Sequence, residues 1–186
     1  MRKVIFAINL SIDGCCDHTR LNGSEDIHDY FSDLLQEVDL LIYGRTTYEL
    51  MVPFWPDVAR DQSGRSDSMN RFANTITPIR KLVFSRTLQS VEDPNSQLLH
   101  NNLEEEVRRL KQQSGKHILL GGMVLSAPLI RLGLVDEYRI VIQPFLVGKG
   151  RRLFEDIDLS QLTQLTLAES TPLPSGALVL RYVQQP

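Results

Sequence analysis

The feature that most constrains the fold is a short, almost unbroken apolar segment near the start of the chain. Residues 3–9 are Lys-Val-Ile-Phe-Ala-Ile-Asn, with no alternation of polar and apolar positions. A strand that is apolar on both faces is typical of a parallel sheet covered by helices on both sides. We therefore expect a layered α/β fold rather than an all-β or all-helical one.

Strand and helix patterns alternate along the first two thirds of the chain, and strands dominate the last third. Further strands are predicted at residues 40–43, 82–84, 118–120, 138–143, about 162–169, and 177–183. Helices are predicted at 24–38, 45–51, 67–74, 103–114 and 123–132, a long surface loop at 53–66, and a turn at 171–176. The expected architecture is a three-layer α/β fold in one domain, 1–186, whose mostly parallel central sheet gains antiparallel C-terminal strands.

The charge balance excludes several classes of partner. The chain has 20 Lys and Arg against 23 Asp and Glu, a formal net charge of -3, whereas a nucleic-acid-binding domain needs a dense basic face. No apolar run reaches the roughly 18 residues of a membrane span. The sequence therefore predicts a cytoplasmic protein with a small-molecule substrate, and with neither a nucleic-acid nor a membrane partner.

The two cysteines, Cys15 and Cys16, are neighbours in the sequence. Vicinal cysteines rarely form a disulfide because the geometry is strained. Two cysteines with no partner elsewhere make neither a disulfide framework nor a four-ligand zinc site, so no metal site is predicted. We interpret them as small residues of a tight loop, with redox or metal chemistry as the alternative.

Glycine and small polar residues follow three of the predicted strands. They are Gly44-Arg45-Thr46-Thr47, Ser85-Arg86-Thr87 and Gly121-Gly122-Met123. Ligands of open α/β sheets bind outside the carboxyl ends of parallel strands, where helix N-termini present N–H groups to phosphate oxygens. Glycine lets an anion approach the backbone, and Arg45 and Arg86 add charge-assisted hydrogen bonds. The combination indicates a dinucleotide with an extra phosphate, which is NADP rather than NAD.

Longer motifs extend this pattern over nearly the whole chain. They are Ser11-Ile12-Asp13-Gly14, Gly44-Arg45-Thr46-Thr47-Tyr48-Glu49, Val83-Phe84-Ser85-Arg86-Thr87-Leu88, Gly121-Gly122 with Leu125, Gly133-Leu134-Val135-Asp136-Glu137, and Pro144 through Gly148 with Gly150, Leu153 and Phe154. In these motifs the chain resembles the dihydrofolate reductase-like fold family. It is most similar to the branch that contains the reductase domain of the bifunctional riboflavin-biosynthesis deaminase-reductase.

The resemblance implies hydride transfer from NADPH to an electron-poor carbon. It implies that Ala7, Ile12 and Gly14 flank the nicotinamide. It implies further contacts to the phosphates: Gly44, Arg45, Thr46 and Thr47 to the pyrophosphate and adenosine phosphate region, Ser85 and Arg86 to the 2′-phosphate, and Gly121, Gly122, Met123, Val124 and Leu125 to the pyrophosphate. The Gly121–Gly122 bond is often a cis peptide in this family.

The proton donor and the substrate contacts are less closely defined by the resemblance. Dihydrofolate reductases carry an acidic residue on the first helix, and the candidates here are Asp26, His28 and Asp29, each of which also suits an ordinary helix position. Candidate substrate contacts are Asp13, Trp55, Lys149 and Arg151. For Lys149 and Arg151 the alternative is an exposed basic turn, and for Trp55 a loop anchor.

The predicted function is that of an NADPH-dependent reductase acting on a small heterocyclic or ribosylated metabolite, similar to 5-amino-6-(5-phosphoribosylamino)uracil reductase of riboflavin biosynthesis. The zinc motifs of a deaminase domain, His-x-Glu and Pro-Cys-x-x-Cys, do not occur in this sequence, which predicts a stand-alone form. One alternative is a true dihydrofolate reductase, and another is a non-catalytic nucleotide-binding dimeric protein. The resemblance and the apolar strands at 138–145 and 178–183 also predict a homodimer.

Overall fold

The structure is a computed structural model that describes residues 1–17, 21, 23–155 and 163–184. Its elements alternate along the chain as strands and helices. They are β1 (Val4–Ser11), α1 (Glu25–Gln36), β2 (Val38–Gly44), α2 (Arg45–Met51), α3 (Phe54–Asp61), α4 (Asp67–Ile76), β3 (Arg80–Phe84), β4 (Ser96–Leu99), α5 (Leu103–Lys111), β5 (His117–Gly121), α6 (Met123–Arg131), β6 (Glu137–Gln143), β7 (Leu165–Pro172) and β8 (Leu178–Gln184).

The strands form one eight-stranded sheet with the order β4-β3-β2-β5-β1-β6-β8-β7. The six strands from β4 to β6 pair in parallel, whereas β8 is antiparallel to β6 and β7 is antiparallel to β8. The predicted α/β class and the antiparallel C-terminal strands are therefore confirmed. The carboxyl ends of β1, β2, β3, β5 and β6 meet at one edge of the sheet, which we call the carboxyl edge.

Helices cover the sheet on both sides and make two apolar layers. On one side Val107 of α5 and Leu129 of α6, both fully buried, pack on strand residues such as Phe6. On the other side Leu34 of α1 and Phe72 of α4 pack on alternate residues of the same strands. Because successive strand residues point to opposite faces, both faces of the central strands are apolar, as the run at residues 3–9 predicts.

Three details differ from the sequence predictions. The prolines at 53 and 56 do not prevent a helix: Pro53 is the N-cap of α3 and Pro56 lies in its first turn, where an N–H group has no helical partner. The short edge strand β4 was not predicted, because four residues carry too little periodicity. β7 extends to Pro172, so the turn begins at Leu173, and the predicted start of this strand near residue 162 lies outside the described residues.

The central strand β1 is paired unequally with its two neighbours. Its register with β6 continues from Ile5 to Ser11, whereas its register with β5 ends at Phe6, opposite Leu120. From Ala7 onward β1 therefore has a paired strand on one side only. No helix among the described residues is long and apolar enough to span a membrane.

Candidate functional site

Two strand-to-helix turns lie against each other at the carboxyl edge. β5 ends at Gly121, and Gly122 follows it as the N-cap of α6, with a φ of 86°. A Cβ on Gly122 would overlap Thr47 Oγ1 of α2, and a Cβ on Gly121 would lie 2.8 Å from Tyr43 Cε1. The β5–α6 turn and the β2–α2 turn therefore pack without space for a side chain between them.

The N-termini of α2 and α6 have no side-chain cap. Their N-cap residues are glycines, Gly44 and Gly122, which offer no capping oxygen. The first N–H groups of each helix have no intrahelical partner, and the helix dipole makes this end positive. Val124, in the first turn of α6, is 68% exposed, and Leu125 approaches Gly44. These two helix ends suit an anion at the carboxyl edge.

Two arginines lie beside these helix ends. Arg45 is the first residue of α2, and Arg86 follows β3, the neighbour of β2. Both are exposed, and neither guanidinium is hydrogen bonded or ion paired to a described residue. The hydroxyl of Ser85 is used within its own turn, where it accepts hydrogen bonds from the N–H groups of Thr87 and Leu88 at 3.2 and 2.9 Å. The two guanidinium groups are therefore available to an anion.

The loop after β1 is tied to the segment after β6 through Asp13. Its carboxylate accepts hydrogen bonds from the N–H groups of Val147 and Gly148, at 3.1 and 2.8 Å, and from Ser11 Oγ at 2.6 Å. The hydrogen bond from Ser11 and the two backbone N–H groups hold the pKa of Asp13 well below its usual range. Asp13 is therefore an ionised link between two loops, and its predicted contact with substrate stays a prediction.

The residues predicted to flank the nicotinamide lie along the unpaired side of β1 and in the loop that follows it. Ala7 is the first residue beyond the β1–β5 register, and it is partly buried. Ile12 is 62% exposed, and Gly14 accepts a hydrogen bond from the Leu153 N–H at 3.1 Å. The exposed apolar side chain of Ile12 and the unpaired side of β1 thus occur together at the carboxyl edge.

Cys16 connects the loop after β1 to the start of α6. Its Sγ lies 3.2 Å from Met123 Sδ and 3.2 Å from the Arg151 carbonyl oxygen, which also accepts the Cys16 N–H. Burial raises the pKa of the Cys16 thiol. Cys15 is 1% exposed, and neither cysteine forms a disulfide. In the part of the chain that the structure describes, no three His, Cys, Asp or Glu side chains are grouped to hold a metal ion.

Asp26, one of the three candidate proton donors, connects α1 to the β7–β8 turn. Its Oδ2 accepts a hydrogen bond from the Ser175 N–H at 2.7 Å, and the carboxylate also accepts one from the Ser24 hydroxyl. Burial would raise the pKa of Asp26, but these hydrogen bonds outweigh it and hold the pKa below its usual value. Asp26 is thus an ionised carboxylate with its acceptor sites in use.

Asp29, the second candidate, connects α1 to α4. Its two carboxylate oxygens accept hydrogen bonds from Ser68 Oγ at 2.9 Å and from Arg71 Nη1 at 3.2 Å. Arg71 also pairs with Asp33, one turn further along α1. These contacts give Asp29 a role in helix packing, and its predicted role in proton transfer stays a prediction.

His28, the third candidate, packs in an aromatic cluster. Its ring lies 5.9 Å from that of Trp55 and 5.8 Å from that of Phe72, measured between centroids. Burial lowers the pKa of His28, although the nearby charges of Asp29 and Glu25 oppose the shift. The structure therefore brings together two residues that the sequence named for different roles, His28 for proton transfer and Trp55 for substrate contact.

The remaining predicted contacts lie on the segment after β6. Lys149 and Arg151 are exposed. Arg152 is instead bound to the loop after β1, since its guanidinium donates to the Asp13 carbonyl and, at 3.1 Å, to the Gly148 carbonyl. No local pattern distinguishes Arg152 from its two basic neighbours.

One implication of the resemblance is wrong. No peptide bond in the described residues is cis, so the Gly121–Gly122 bond is trans. The chain turns at this point through the positive φ of Gly122, which only glycine adopts readily.

Comparison with known proteins identifies the family. The RibD C-terminal domain family matches residues 2–179. This chain belongs to the RibD C-terminal domain family. Two Bacillus subtilis (strain 168) proteins are similar over almost their whole length. The uncharacterized protein YyaP is 32% identical, covering 97% of this chain and 94% of that protein, and the uncharacterized protein YwjB is 28% identical, covering 98% of each.

Solved structures share the fold of this RibD C-terminal domain. A putative riboflavin biosynthesis protein from Shewanella sp. PV-4 superposes with a TM-score of 0.74 at 19% identity, over 99% of both chains. A pyrimidine reductase-like protein from Corynebacterium diphtheriae gives 0.63 at 16% identity, over 100% of this chain and 92% of that one. The deaminase/reductase from Thermotoga maritima gives 0.67 at 14% identity, over 99% of this chain and 57% of that one. The dihydrofolate reductase-like fold is therefore confirmed.

Proposed function

We propose that this RibD C-terminal domain is an NADPH-dependent reductase that transfers a hydride to a small heterocyclic or ribosylated metabolite, as 5-amino-6-(5-phosphoribosylamino)uracil reductase does. The observation that carries the proposal is the packing of two uncapped helix N-termini around the Gly121–Gly122 turn, beside the two available arginines. Family membership supports reduction as the type of reaction.

The residues at the carboxyl edge fit a phosphorylated dinucleotide. The uncapped N-terminus of α6 suits the pyrophosphate, because its first N–H groups have no intrahelical partner. Arg86 and Arg45 suit the 2′-phosphate, since a guanidinium forms paired, charge-assisted hydrogen bonds with phosphate oxygens. The unpaired side of β1 at Ala7 suits the nicotinamide ring.

NADPH, when bound, supplies the hydride for the electron-poor carbon of the substrate. The contribution of this chain is binding, orientation and the exclusion of water. The Asp13 carboxylate holds the loop after β1 against the segment after β6. His28 Nε2 is our candidate for moving the proton, because Asp26 and Asp29 are engaged in hydrogen bonds and ion pairs.

The cofactor assignment is tested by measuring the binding of NADPH and NADH, with NADPH fluorescence and competition as the readouts. We expect Arg86→Ala to weaken NADPH at least about tenfold and to leave NADH unchanged, since a hydrogen bond to a charged group contributes about 1.5–3 kcal/mol. The matched control is Arg131→Ala, an exposed arginine at the far end of α6. Equal binding of both cofactors to the wild type would overturn the 2′-phosphate assignment, and binding of neither would overturn the proposal.

The same proposal includes a homodimer. Part of the predicted interface is buried within the chain itself, since Tyr138 is 5% exposed and Val179 is 3% exposed. Half-buried apolar residues such as Leu180 and Tyr182 remain on the α5 and α6 side of the sheet, and Leu167 beside Tyr182 is 50% exposed. Light scattering should give a particle of twice 21.2 kDa, and Leu167→Arg should halve it. A wild-type particle of 21.2 kDa at micromolar concentration would contradict the dimer.

A further inference from the structure

The end of β4 places a histidine ring against the turn that carries Arg86. Leu99, the last residue of β4, is opposite Phe84, and the pairing continues one step further, because the Ser85 N–H donates to the Leu99 carbonyl at 3.2 Å. His100 comes next, and its Nδ1 atom lies 2.6 Å from the Ser85 carbonyl oxygen. Because His100 is exposed, this hydrogen bond orients a ring that borders solvent.

The hydrogen bond determines which nitrogen of the His100 ring is free. A carbonyl oxygen only accepts hydrogen bonds, so Nδ1 carries a proton and donates it. Nε2, on the other side of the ring, has no partner in the part of the chain that the structure describes. It is an acceptor in the neutral imidazole and a donor in the protonated one. What Nε2 binds therefore depends on the charge of the ring.

His100 and Arg86 lie close enough to bind the same anion. The Ser85 carbonyl belongs to the peptide group that ends at the Arg86 nitrogen, so Nδ1 of His100 is within about 5.5 Å of Arg86 Cα by standard peptide dimensions. The Ser85 hydroxyl is used within its own turn. The exposed side chains of Arg86 and His100 therefore remain at this turn for an anionic ligand.

We propose that His100 is a specificity-determining residue that binds the 2′-phosphate of NADPH through Nε2–H and takes up a proton from solvent in doing so. The lone pair of a neutral Nε2 repels phosphate oxygens, whereas a protonated ring donates a charge-assisted hydrogen bond to them. The proton returns to solvent when the nucleotide dissociates. This inference rests on the proposed function, and it makes the preference for NADPH over NADH dependent on pH.

The charges of the neighbouring elements favour proton uptake on binding. The turn after β3 contributes Arg86, α2 contributes Arg45, and the first turn of α5 contributes Glu104 and Glu105, whereas β4 has no charged side chain. Glu104 already binds Arg108 Nε at 2.9 Å. Two arginines oppose a further positive charge in the free protein, and a phosphate dianion reverses this effect.

The competing explanation is that His100 only holds the turn after β3 in place. His100→Asn separates the two roles, because the asparagine Nδ2 occupies the position of Nδ1 and still donates to the Ser85 carbonyl, whereas Nε2 is lost. The matched control is His117→Asn. His117 begins β5 at the opposite edge of the sheet, where its Nδ1 accepts the Lys3 N–H at 3.4 Å.

NADPH and NADH differ only in the 2′-phosphate, so the ratio of their dissociation constants isolates this group. We expect His100→Asn to lower the preference for NADPH about fivefold at pH 6 and less than about twofold at pH 8, because imidazole changes its charge between about pH 5 and 8 and an exposed charge pair contributes modestly. His117→Asn should match the wild type at both pH values. Arg86→Ala should lower the preference at both, since a guanidinium stays charged.

Calorimetry in two buffers of different protonation enthalpy measures the protons taken up on binding. The wild type should take up more protons with NADPH than His100→Asn does, and NADH should show no such difference. Should His100→Asn not fold, His100→Gln serves as the second variant, with the same expected difference in proton uptake.

Every other outcome is decisive. An unchanged preference for NADPH, a loss of preference that is the same at pH 6 and pH 8, or equal proton uptake in wild type and variant overturns the inference. With a wild type that prefers NADPH, these results leave the proposed function standing. Equal binding of both cofactors by the wild type overturns the 2′-phosphate site and His100 with it, and binding of neither counts against the proposed function itself.

Discussion

Cys16 Sγ lies 3.2 Å from Met123 Sδ, which joins the loop after the first strand to the first residue of α6. The two segments come from strands β1 and β5, whose pairing ends at Phe6, well before this contact. The contact between the two sulfur atoms therefore lies at the far end of the unpaired segment between β1 and β5, where we place the nicotinamide. A displacement of either segment alters the proposed cofactor site and the loop that borders it.

The first prediction concerns the reactivity of Cys16. Because burial raises the pKa of its thiol, alkylation by iodoacetamide should be slow at neutral pH and should accelerate as the pH rises, since the thiolate is the reacting form. Mass spectrometry should find one modified cysteine per native chain, because Cys15 is 1% exposed. Bound NADPH should slow the reaction further. Rapid modification of both cysteines at neutral pH would contradict the packing described, and Cys16→Ser provides the unreactive control.

The second prediction concerns Gly122. Gly122→Ala should lower the free energy of unfolding by more than the roughly 1–3 kcal/mol of a backbone conformation that is nearly restricted to glycine, because its Cβ would also overlap Thr47 Oγ1. Urea denaturation measures the change. Thr47→Ala in the same chain should recover part of the loss, since it removes the overlapping hydroxyl.

Two glycines provide matched controls for that measurement. Gly148→Ala should show the backbone cost alone, because Gly148 has a φ of 77° and no atom within 4 Å of an added Cβ. Gly44→Ala should cost no more than about 1 kcal/mol, the N-cap preference for glycine over alanine, since its φ is -83° and its Cβ would lie 3.5 Å from Leu125 Cγ. A loss at Gly122 no greater than that at Gly148 would show that contact with Thr47 contributes nothing.

The third prediction is a pH dependence that originates at His28. Its pKa in the folded protein is lowered by burial, so between that value and the ordinary pKa of 6.5 the unfolded chain binds more protons. The free energy of unfolding should therefore decrease as the pH falls below about 6.5, and His28→Gln should reduce this decrease.

Turnover provides the functional half of the same prediction. If His28 Nε2 supplies the proton, kcat falls as the pH rises through the lowered pKa, and His28→Gln flattens that limb of the profile. An unchanged profile in the variant assigns the proton to another group and leaves His28 a packing role beside Trp55.

The fourth prediction concerns the buried ion pair of Lys81 and Asp93, whose side chains are 3% and 6% exposed and 3.4 Å apart. Asp93→Ala leaves the ammonium without its counter-ion and should cost about 3–5 kcal/mol of stability. Lys81→Met together with Asp93→Leu should cost less than Asp93→Ala alone, because no charge then remains buried. Chemical denaturation measures the stability cost of each variant. Costs at the two positions that simply add would indicate that the two groups do not interact.

The sequence predicted the central strands because residues such as Val4, Ile5 and Phe6 are apolar on both faces, and burial on both faces is what the sheet provides. It did not predict α3, because prolines at 53 and 56 suggest a loop unless they occupy the first turn of a helix. It did not predict β4, whose edge position depends on pairing with β3 rather than on its own four residues.

The candidate site was predictable where one strand end determines it and unpredictable where distant segments meet. Gly44 and Gly122 were identified because glycine directly after a strand lets an anion approach the backbone. The partner of Asp26 is the N–H of Ser175, which is 149 residues away, and no local pattern indicates that contact. His100 looks like an ordinary polar residue of a surface loop, and only the pairing of β4 with β3 shows that its ring lies against the Ser85 carbonyl.

The central position of β1 has a consequence for how the chain is made. β1 is synthesised before the other described strands, and it lies between β5 and β6, with Ile5 opposite Glu137. On a ribosome, β1 must wait until both of these neighbours have emerged, and its apolar faces are exposed until then. Such long-range pairing slows folding and exposes the nascent chain to aggregation, so we expect its yield in cells to depend on chaperones.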